Sequence, residues 1–378
     1  MREYNVLVVV RHPVGGIRTF LRYVYGKFDR QRYSFTLIAP DLPEAQVLLD
    51  DLKELSLRFI PTDRNVSNKD LFQKITKILW HGNFDLIHSH GFTSAACSIF
   101  GALITGTPHI LTVHDVFTPS QFIGLMGSLK KTILGLMLST IDYIHCVTND
   151  TKNNLLDYLK ILKLAKGKII VIQNGIETDR FLGAKRRNLR QEYGLCEDTF
   201  LIGFLGRFMS QKGFRYLLEA LAETQKINDL PKKPVILCFG EKDGFYREAM
   251  EDVRRKGLSE SVLLLPFVAD VASTLKGLDV VAMPSLWEAC GLLAMEAMVA
   301  GVPLIGTNCV GLREVLKDTP ATVVPARDNL ALSDALLLEM RDPTKGKMKN
   351  FVLEAAARFE VKERAAEIEQ LMLKLLKR

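Results

Sequence analysis

Residues 5–28, NVLVVVRHPVGGIRTFLRYVYGKF, begin as a short apolar strand and continue, after a turn, as a helix with one apolar face. Four apolar side chains recur at the spacing i, i+3, i+4 and i+7, which lies on one side of a helix: Ile17, Phe20, Leu21 and Val24. A strand followed by such a helix is the unit from which parallel sheets covered by helices are built. This stretch therefore predicts an α/β fold.

The same alternation runs through both halves of the chain. Further apolar strand segments in the first half are SFTLIAP (34–40), FDLIHSH (84–90), HILTVHD (109–115), YIHCVTN (143–149) and IIVIQNG (169–175). The alternation stops at the polar segment 179–195 and resumes with FLIGFLGR (200–207), VILCFG (235–240), VLLLPFV (262–268), DVVAMPS (279–285), VPLIGTN (302–308) and ATVVPA (321–326). We predict two Rossmann-like, doubly wound domains, 1–183 and 184–359, that face each other across a cleft. The terminal helix, 360–378, is expected to pack back onto the first domain.

The composition of the chain excludes several classes of protein. A hydrophobic content of 48% with 25% charged residues is typical of a soluble globular protein. Six cysteines lack the spacing of a zinc site or disulfide framework, which indicates reduced thiols and a cytoplasmic location. The first residues predict a strand rather than a signal peptide, and no apolar run is long enough to span a bilayer. The net charge of +7 comes without a dense basic run interleaved with aromatics, so nucleic acid is not an expected partner.

The loop after the first strand of the second domain carries two cations. In GRFMSQKGF (206–214), Arg207 and Lys212 lie on one turn between a strand and a helix. The planar donor fork of arginine and the compact charge of lysine suit a pyrophosphate, and the helix start adds unpaired N–H groups. The alternative is a solvated turn with an ordinary charged surface.

The stretch WEACGLLAMEAMVAG (287–301) places one carboxylate before an apolar helix and another inside it. Glu288 is expected at the carboxyl end of a strand, facing the cleft. Glu296 is expected in the second turn of a helix that begins near Cys290, where burial of an unpaired charge would be costly. Its two oxygens suit a vicinal diol such as that of ribose. The alternative is that Glu296 pairs with an arginine or points to solvent.

The block PSLWEACGLLAMEAMVAGVPLI (284–305), with seven residues between its two glutamates, resembles the E-x7-E signature of the retaining, GT-B-fold glycosyltransferases of family 4. Five further segments resemble motifs of that family in the family's order: PVGGIRTFL (13–21), FDLIHSHG (84–91), LTVHD (111–115), VIQNGIETDRF (171–181) and GRFMSQKG (206–213). The resemblance covers nearly the whole chain. It implies an enzyme that moves a sugar from a nucleotide-diphosphate sugar to an acceptor hydroxyl, in the synthesis of surface polysaccharide, lipopolysaccharide or glycolipid.

In the second domain the resemblance gives each motif residue a role. Arg207 and Lys212 would hold the UDP- or GDP-sugar diphosphate and stabilise the charge of the leaving group. Glu296 would bind the ribose hydroxyls, and Glu288 would bind sugar hydroxyls near the reacting carbon as a catalytic residue. Backbone N–H groups of a short run would meet sugar and phosphate: Cys290, Gly291, Leu292 and Leu293. The usual EGFG is EACG here and FGEKDG (239–244) replaces a compact glycine loop, which leaves the role of Glu241 open.

In the first domain the resemblance concerns two glycines and two histidines. Gly15 and Gly16 would let the backbone approach the diphosphate where a side chain would clash. His114 matches a family position beside the donor sugar and is the second expected catalytic residue. His90 is a less securely matched neighbour. The alternative for either histidine is a purely structural hydrogen bond at the end of a strand.

The expected chemistry needs neither metal nor cofactor. The nucleotide sugar is a co-substrate, and the two cations with the helix dipole would replace a metal ion. We favour front-face attack by the acceptor hydroxyl, with a donor phosphate oxygen taking its proton. A GT-B-fold epimerase and a non-catalytic nucleotide-sugar-binding protein are the alternatives. A dehydrogenase is disfavoured because RHPVGG (11–16) lacks the GxGxxG spacing.

The segment SQFIGLMGSLKKTILGLMLSTID (120–142) combines apolar residues with Lys130 and Lys131, and KILKLAKGK (160–168) adds four lysines. These segments could dock on an anionic bilayer at the inner face of the cell membrane and reach a lipid-linked acceptor rather than a free saccharide. The alternative is a helix packed on the sheet with solvated lysines.

Overall fold

The computed structural model describes residues 3–240 and 245–377, which form two compact units. The first unit contains Met1–Gly175 and Val361–Arg378, and the second contains Ile176–Glu360. The division falls after Gly175, earlier than the limit of 183 expected from the sequence. The reason is that Ile176 forms a parallel bridge with Glu360 and Phe181 is buried, which ties this segment to the second unit.

The first unit is built on a parallel sheet whose strands have the spatial order β3-β2-β1-β4-β5-β6-β7. The strands in the described residues are β1 (Tyr4–Val10), β2 (Tyr33–Pro40), β3 (Ser56–Thr62), β4 (Leu86–His90), β5 (His109–Val113), β6 (Tyr143–Cys146) and β7 (Ile169–Val171). Their apolar side chains are buried on both faces, because helices cover both sides of a doubly wound sheet. The chain reverses its direction of sheet growth between β1 and β4.

Strand β3 was not expected from the sequence. It pairs with β2 alone at the edge of the sheet, from Ser34 opposite Ser56 to Pro40 opposite Thr62. Its side chains are mostly exposed or half-buried, and it includes Pro61, which cannot donate to a sheet ladder. An edge strand of this composition lacks the apolar run by which the other strands were recognised.

Helices of the first unit lie on both faces of its sheet. They are α1 (Gly15–Tyr25), α2 (Pro43–Asp51), α3 (Asn68–His81), α4 (Phe92–Thr105), α5 (Gly124–Ser139) and α6 (Asn149–Tyr158), with 3₁₀ segments at Pro119–Phe122 and Lys160–Lys168. The terminal helix (Val361–Leu376) also packs in this unit, against α1. Its Glu369 accepts a hydrogen bond from Tyr33 and pairs with Arg32 at 3.0 Å.

The second unit repeats the architecture with the strand order β10-β9-β8-β11-β12-β13. Its strands are β8 (Phe200–Leu205), β9 (Pro234–Phe239), β10 (Val262–Leu265), β11 (Val280–Met283), β12 (Leu304–Thr307) and β13 (Thr322–Val324). Its helices are α7 (Thr178–Leu182), α8 (Leu189–Glu192), α9 (Phe214–Thr224), α10 (Tyr246–Arg255), α11 (Val271–Gly277), α12 (Leu292–Val299), α13 (Leu312–Leu316), α14 (Asn329–Arg341) and α15 (Lys345–Phe359), with a 3₁₀ turn at Ser210–Lys212.

Both sheets therefore have a topological switch point, between β1 and β4 in one and between β8 and β11 in the other. Ligands of open α/β sheets bind outside the carboxyl ends of the strands at such points. These two places are where the candidate residues should be sought. Within residues 3–240 and 245–377, none of the helices combines the length and apolar character that crossing a membrane requires.

Candidate functional site

The loops that follow β8 and β11 lie side by side at the switch point of the second unit. The two strands are parallel neighbours, with Ile202 opposite Val280. The backbone N–H of Leu286 donates to the Gln211 carbonyl at 2.8 Å, and the Gln211 side chain donates to the Trp287 carbonyl at 3.0 Å. These hydrogen bonds fix the cationic loop against the loop that carries Glu288.

Two glycines allow these loops to pack backbone against backbone. Gly213 has a φ of +67°, and a Cβ there would lie 1.9 Å from the Pro284 carbonyl oxygen. Gly311, in the loop after β12, has a φ of +79°, and its Cβ would lie 2.1 Å from the Glu288 carbonyl oxygen. Any side chain at either place would push the loops apart. The position of Glu288 thus depends on three neighbouring strand ends.

Glu288 and Lys212 form an ion pair at the centre of this arrangement. Lys212 Nζ lies 2.6 Å from Glu288 Oε1, and the Ser285 hydroxyl donates to the same oxygen at 2.8 Å. Glu288 is only 6% exposed, so the nearby ammonium compensates a carboxylate that burial would otherwise disfavour. The second oxygen, Oε2, has no partner among the described residues. One carboxylate oxygen is therefore held by the protein and the other is left for a ligand.

Arg207 lies on the same loop as Lys212 and its side chain is exposed. Its guanidinium makes no hydrogen bond or ion pair with another residue of 3–240 or 245–377. A charge without a protein partner beside a lysine is available to an anionic ligand. Glu241, whose role was left open, lies outside the described residues.

Helix α12 begins at Leu292 rather than near Cys290. Gly291 has a φ of +77°, a left-handed conformation that is not helical. The irregular loop therefore extends to Gly291, and the helix begins at the next residue. In the part of the chain that the structure describes, the first-turn N–H groups of Leu292 and Leu293 have no hydrogen-bond partner. Glu296 lies in the second turn as expected and is 9% exposed. Burial excludes the alternative that Glu296 points freely to solvent.

At the switch point of the first unit, Gly15 and Gly16 open helix α1 directly after the loop that follows β1. Gly15 has a φ of +54°, so its own backbone conformation favours glycine. A Cβ at either glycine would have no protein atom within 4 Å. The space beside this helix start is therefore open, and the prediction that a diphosphate approaches it stays a prediction.

His90 and His114 lie together at the ends of β4 and β5. His90 is buried, and both its ring nitrogens are occupied: Nε2 lies 3.1 Å from the Tyr25 hydroxyl and Nδ1 lies 3.0 Å from His114 Nε2. His90 consequently supports His114 and has no nitrogen left for a ligand. His114 is partly exposed and packs edge-on against Phe20, with ring centres 4.8 Å apart.

Burial keeps these rings uncharged. It lowers the pKa of His114 to about 3 and that of His145 to about 4. Burial also lowers the pKa of His88 and of His90 well below the ordinary value. All four rings are neutral at pH 7, because desolvation disfavours the charged imidazolium.

Sequence reasoning missed several residues that complete these two clusters: Ser285, Tyr25, His88, Thr112 and His145. A signal for part of this set was present, since HSH, LTVH and IHC place polar residues near the ends of three consecutive strands. In the sheet, His90 lies opposite Thr112, and Thr112 lies opposite His145. Among the described residues, no group of three or more His, Cys, Asp or Glu side chains is arranged to hold a metal ion.

Two family models match the chain in succession. The model described as Glycosyltransferase Family 4 matches residues 14–180, and the model described as Glycosyl transferases group 1 matches residues 199–342. The first match ends at residue 180 and the second begins at residue 199, so the gap between them contains most of the segment where strand alternation is interrupted. Together the two matches include all the candidate residues named above.

Curated relatives give the same result. The D-inositol 3-phosphate glycosyltransferase of Corynebacterium urealyticum is 30% identical over 77% of this chain and 72% of its own. The UDP-Gal:α-D-GlcNAc-diphosphoundecaprenol α-1,3-galactosyltransferase of Escherichia coli is 26% identical over 81% of this chain and 79% of its own. An uncharacterized glycosyltransferase of Methanocaldococcus jannaschii is 31% identical over 65% of this chain, which spans 63% of that relative.

The overall fold matches solved structures across its full length. The HepE protein of Anabaena, in complex with UDP and glucose, superposes with a TM-score of 0.80 over 98% of this chain and 100% of its own. The sequence identity is 18%, so this likeness concerns the fold.

Proposed function

This chain belongs to family 4 of the glycosyltransferases, with the GT-B fold, and from that premise we propose that it is a retaining, metal-independent hexosyltransferase. It would transfer a sugar from a nucleotide-diphosphate sugar to an acceptor hydroxyl in surface polysaccharide, lipopolysaccharide or glycolipid synthesis. The observation that carries this proposal is the Lys212–Glu288 pair at 2.6 Å, with Arg207 beside it and one carboxylate oxygen left over.

The two cations are proposed to bind the donor diphosphate. Arg207 is exposed without a protein partner, and Lys212 is held on the same loop by Glu288. A departing nucleoside diphosphate gains negative charge in the transition state, and fixed cations stabilise that charge more than they stabilise the ground state. The unpaired N–H groups of Leu292 and Leu293 would add to this effect. The proposed reaction therefore uses these groups in place of a metal ion.

The two carboxylates are proposed to bind hydroxyl groups of the donor. Glu288 Oε2 would accept from sugar hydroxyls near the reacting carbon, and Glu296 would accept from the ribose diol. A carboxylate is an acceptor with two oxygens, so either one can bind a pair of neighbouring hydroxyls. His114 would accept from another hydroxyl of the transferred sugar.

The transfer is proposed to occur by front-face attack. The acceptor oxygen forms a bond to the anomeric carbon on the face from which the diphosphate leaves, and a donor phosphate oxygen takes the hydroxyl proton. The new glycosidic bond then keeps the anomeric configuration of the donor. In this proposal neither Glu288 nor Ser285, whose hydroxyl donates to Glu288 Oε1, forms a covalent bond to the sugar.

UDP is the favoured donor nucleotide. It is bound by the Anabaena structure, and the Escherichia coli relative is named for a UDP-sugar, whereas a GDP-sugar is the alternative. A thermal-shift panel of UDP- and GDP-sugars tests this choice, because a ligand that binds only the folded chain raises Tm. No shift with any donor would contradict the proposal.

Transfer must also be separated from the two alternatives, the epimerase and the non-catalytic binder. With the stabilising donor, the transferase forms a product whose anomeric proton coupling matches that of the donor, and Glu288→Ala loses this product. An epimerase would release the nucleoside diphosphate and an isomerised sugar when no acceptor is present. A binder would show the thermal shift and form no product.

The acceptor is proposed to be lipid-linked, on an anionic membrane surface. Six large apolar side chains at and along α5 are exposed: Ile123, Leu125, Met126, Leu129, Ile133 and Leu136. Leu125 is 90% exposed, so these side chains lie apart from the face of α5 that packs in the core through Leu134 and Leu138. An apolar area of this kind on a glycosyltransferase suits an interface rather than water.

Charge supports anionic lipid as the proposed occupant of this surface. Lys130 and Lys131 lie on α5, and the segment Lys160–Lys168 carries four lysines and no acidic residue. Lys168 Nζ donates to the Ser139 carbonyl at 3.2 Å, which joins this segment to the end of α5. Basic residues beside an apolar helix face are attracted to acidic headgroups by about 1 kcal/mol each.

Flotation with vesicles tests the membrane proposal. Vesicles containing phosphatidylglycerol should bind the chain, and binding should weaken in high salt and in Leu125→Ser/Leu129→Ser. Neutral phosphatidylcholine vesicles should bind weakly. Leu353→Ser, at another exposed leucine, is the matched control and should bind as the wild type does. Equal binding by the α5 variant and wild type would contradict the proposal.

A further inference from the structure

A continuous chain of hydrogen bonds crosses the sheet of the first unit and ends at His114. It starts at a backbone carbonyl and passes through four buried side chains and His90. The links, in order, are Ile172 O to His145 Nε2 (2.8 Å), His145 Nδ1 to Thr112 Oγ1 (3.1 Å), Thr112 Oγ1 to His88 Nε2 (2.7 Å), His88 Nδ1 to Tyr25 Oη (2.7 Å), Tyr25 Oη to His90 Nε2 (3.1 Å), and His90 Nδ1 to His114 Nε2 (3.0 Å).

The carbonyl fixes the direction of the first links. The oxygen of Ile172 can only accept, so the proton of neutral His145 is on Nε2. Nδ1 of His145 is then an acceptor, and the Thr112 hydroxyl must donate to it. With its proton used, Thr112 accepts from His88, whose proton is therefore on Nε2.

The same logic carries on to the end of the chain. Nδ1 of His88 is an acceptor, so the Tyr25 hydroxyl donates to it and accepts from His90 Nε2–H. Nδ1 of His90 is consequently an acceptor, and His114 donates to it from Nε2. The only proton of neutral His114 is then on Nε2.

The other nitrogen of His114, Nδ1, has no hydrogen-bond partner among the described residues and is not sealed from solvent. In this tautomer it carries a lone pair and can only accept. We propose that Tyr25, His88, Thr112 and His145 are positioning residues that fix His114 in the Nε2–H tautomer, so that its Nδ1 accepts a hydrogen bond from a saccharide hydroxyl.

The saccharide part of this inference rests on the proposed function, whereas the tautomer does not. A ring with no second constraint populates both tautomers, so Nδ1 of His114 would be a donor in part of the molecules. The directions of the six hydrogen bonds all follow from the Ile172 carbonyl, and together they leave His114 with one tautomer. The acceptor is thereby present before the ligand arrives, which lowers the cost of ordering on binding.

Nitrogen-15 NMR of the histidine rings tests the tautomer in the intact chain without any ligand. Long-range ¹H–¹⁵N correlations distinguish the protonated nitrogen of each ring. We expect the Nε2–H form for His114, His90, His88 and His145. An Nδ1–H form of His114 in the wild type would overturn the proposal.

Two conservative variants break the chain at different links. In Tyr25→Phe, His90 Nε2–H loses its acceptor, so its proton should move to Nδ1 and face His114 Nε2. In Thr112→Val, the proton of His88 should move to Nδ1 and donate to Tyr25. The Tyr25 hydroxyl should then donate to His90 Nε2, which moves the His90 proton to Nδ1. Both variants are expected to convert His114 to the Nδ1–H form. An unchanged His114 tautomer in both folded variants would overturn the positioning role.

Ser89→Ala is the matched structural control. Its hydroxyl is equally buried in β4 and hydrogen-bonds His109 at 2.8 Å, but it lies outside the chain. This variant should lower stability as much as Tyr25→Phe and leave the His114 tautomer unchanged. A tautomer change here would assign the effect to general loosening of the sheet and overturn the relay.

Calorimetry with UDP and UDP-glucose as probes tests the ligand contact. Tyr25→Phe and Thr112→Val should weaken UDP-glucose binding by about 3- to 10-fold, the loss of one neutral hydrogen bond, and leave UDP binding unchanged. Equal loss for both ligands would overturn the contact with the sugar. If the wild type bound neither UDP nor UDP-glucose, the uridine donor of the proposed function would fail, and the NMR result would still decide the tautomer.

Discussion

The two sheets have the same strand order around their switch points, and the side chains at their carboxyl ends differ in charge. In the first unit a chain of neutral rings and hydroxyls that share single protons runs along the ends of β4, β5 and β6, from Ile172 to His114, and the charged Arg11 follows β1 outside this chain. In the second unit they are ions, with Lys212 against Glu288 and Arg207 unpaired among the described residues. The same topology thus places a site in each unit, and the side chains decide which part of a ligand each can bind.

The difference follows from what burial costs. A buried ion needs a partner of opposite charge, which Glu288 has in Lys212, whereas a buried neutral network needs every proton matched to an acceptor. An ionic cluster suits a diphosphate and its developing charge. A neutral network suits hydroxyl groups, because it can orient them without attracting anions. Each of the following experiments alters one side of this contrast.

Acidification should have the largest effect, a loss of folding stability, and it acts on the neutral rings of the first unit. Burial lowers the pKa of His109 and His114 to about 3 and of His145 to about 4, so these rings stay neutral in the folded state while they protonate near pH 6.5 in the unfolded state. Stability is therefore complete above pH 6.5 and falls as pH decreases toward the folded values. Each ring should cost about 2 kcal/mol at pH 5.

Urea unfolding at pH 7, 6 and 5 measures this loss. Its slope with pH counts the protons taken up on unfolding, and His109→Asn should reduce the count by about one. A stability independent of pH between 5 and 7 would show that the rings are not held neutral.

Removing the lysine should have the next largest effect, and it acts on the ionic side. Lys212→Met should lower kcat/KM by about 10²–10³-fold, as for loss of one charge that stabilises a leaving group. It also leaves Glu288 buried without its counter-ion, so thermal stability should fall. The double variant Lys212→Met/Glu288→Gln should regain stability and not activity. Lys226→Met, at an exposed helix pair, is the control.

The fold could be predicted from the sequence because apolar strand segments and amphipathic helices have a readable period. All six strands of the second unit were expected, from Phe200 onward, whereas the edge strand at Ser56–Thr62 was missed. Its residues Ser56, Arg58 and Pro61 interrupt the apolar run that marks the other edge strands, such as Val262–Leu265. The unit limit moved to Gly175 because the bridge of Ile176 with Glu360 joins residues distant in sequence.

Site residues that belong to a sequence motif could be predicted, whereas the contacts between residues distant in sequence could not. Lys212 and Glu288 were expected separately, but their ion pair depends on the pairing of β8 with β11, which no local pattern encodes. The start of α12 was placed too early because the apolar run of the helix extends back to Cys290, whereas the left-handed φ of Gly291 prevents the helix from beginning before Leu292. The role of His90 could not be predicted either, because its two hydrogen-bond partners are distant in sequence. They are Tyr25 in α1 and His114 just after β5.

The buried carboxylate of α12 gives a smaller effect. Glu296→Gln should raise the KM for the donor by about 10-fold and leave kcat nearly unchanged, because a charge-assisted hydrogen bond becomes a neutral one. A 2′-deoxyribose donor should bind the wild type more weakly than the normal donor, and the variant should discriminate less between the two donors. Glu339→Gln, a buried glutamate on α14 that accepts from the Thr344 N–H, is the control for loss of a buried charge. Equal discrimination between ribose and deoxyribose in wild type and variant would place the diol elsewhere.

Loss of a single hydroxyl should have the smallest effect and compares the two units most directly. Ser285→Ala removes one of the two donors to Glu288 Oε1 and leaves Lys212 in place, so kcat/KM should fall by about 3- to 5-fold. Because Oε1 also positions Lys212, affinity for UDP itself should fall along with that for UDP-glucose. Thr112→Val removes a hydroxyl of similar size from the neutral chain and should weaken UDP-glucose binding alone. If the two variants lost affinity for UDP equally, the assignment of charge to one unit and hydroxyl recognition to the other would be wrong.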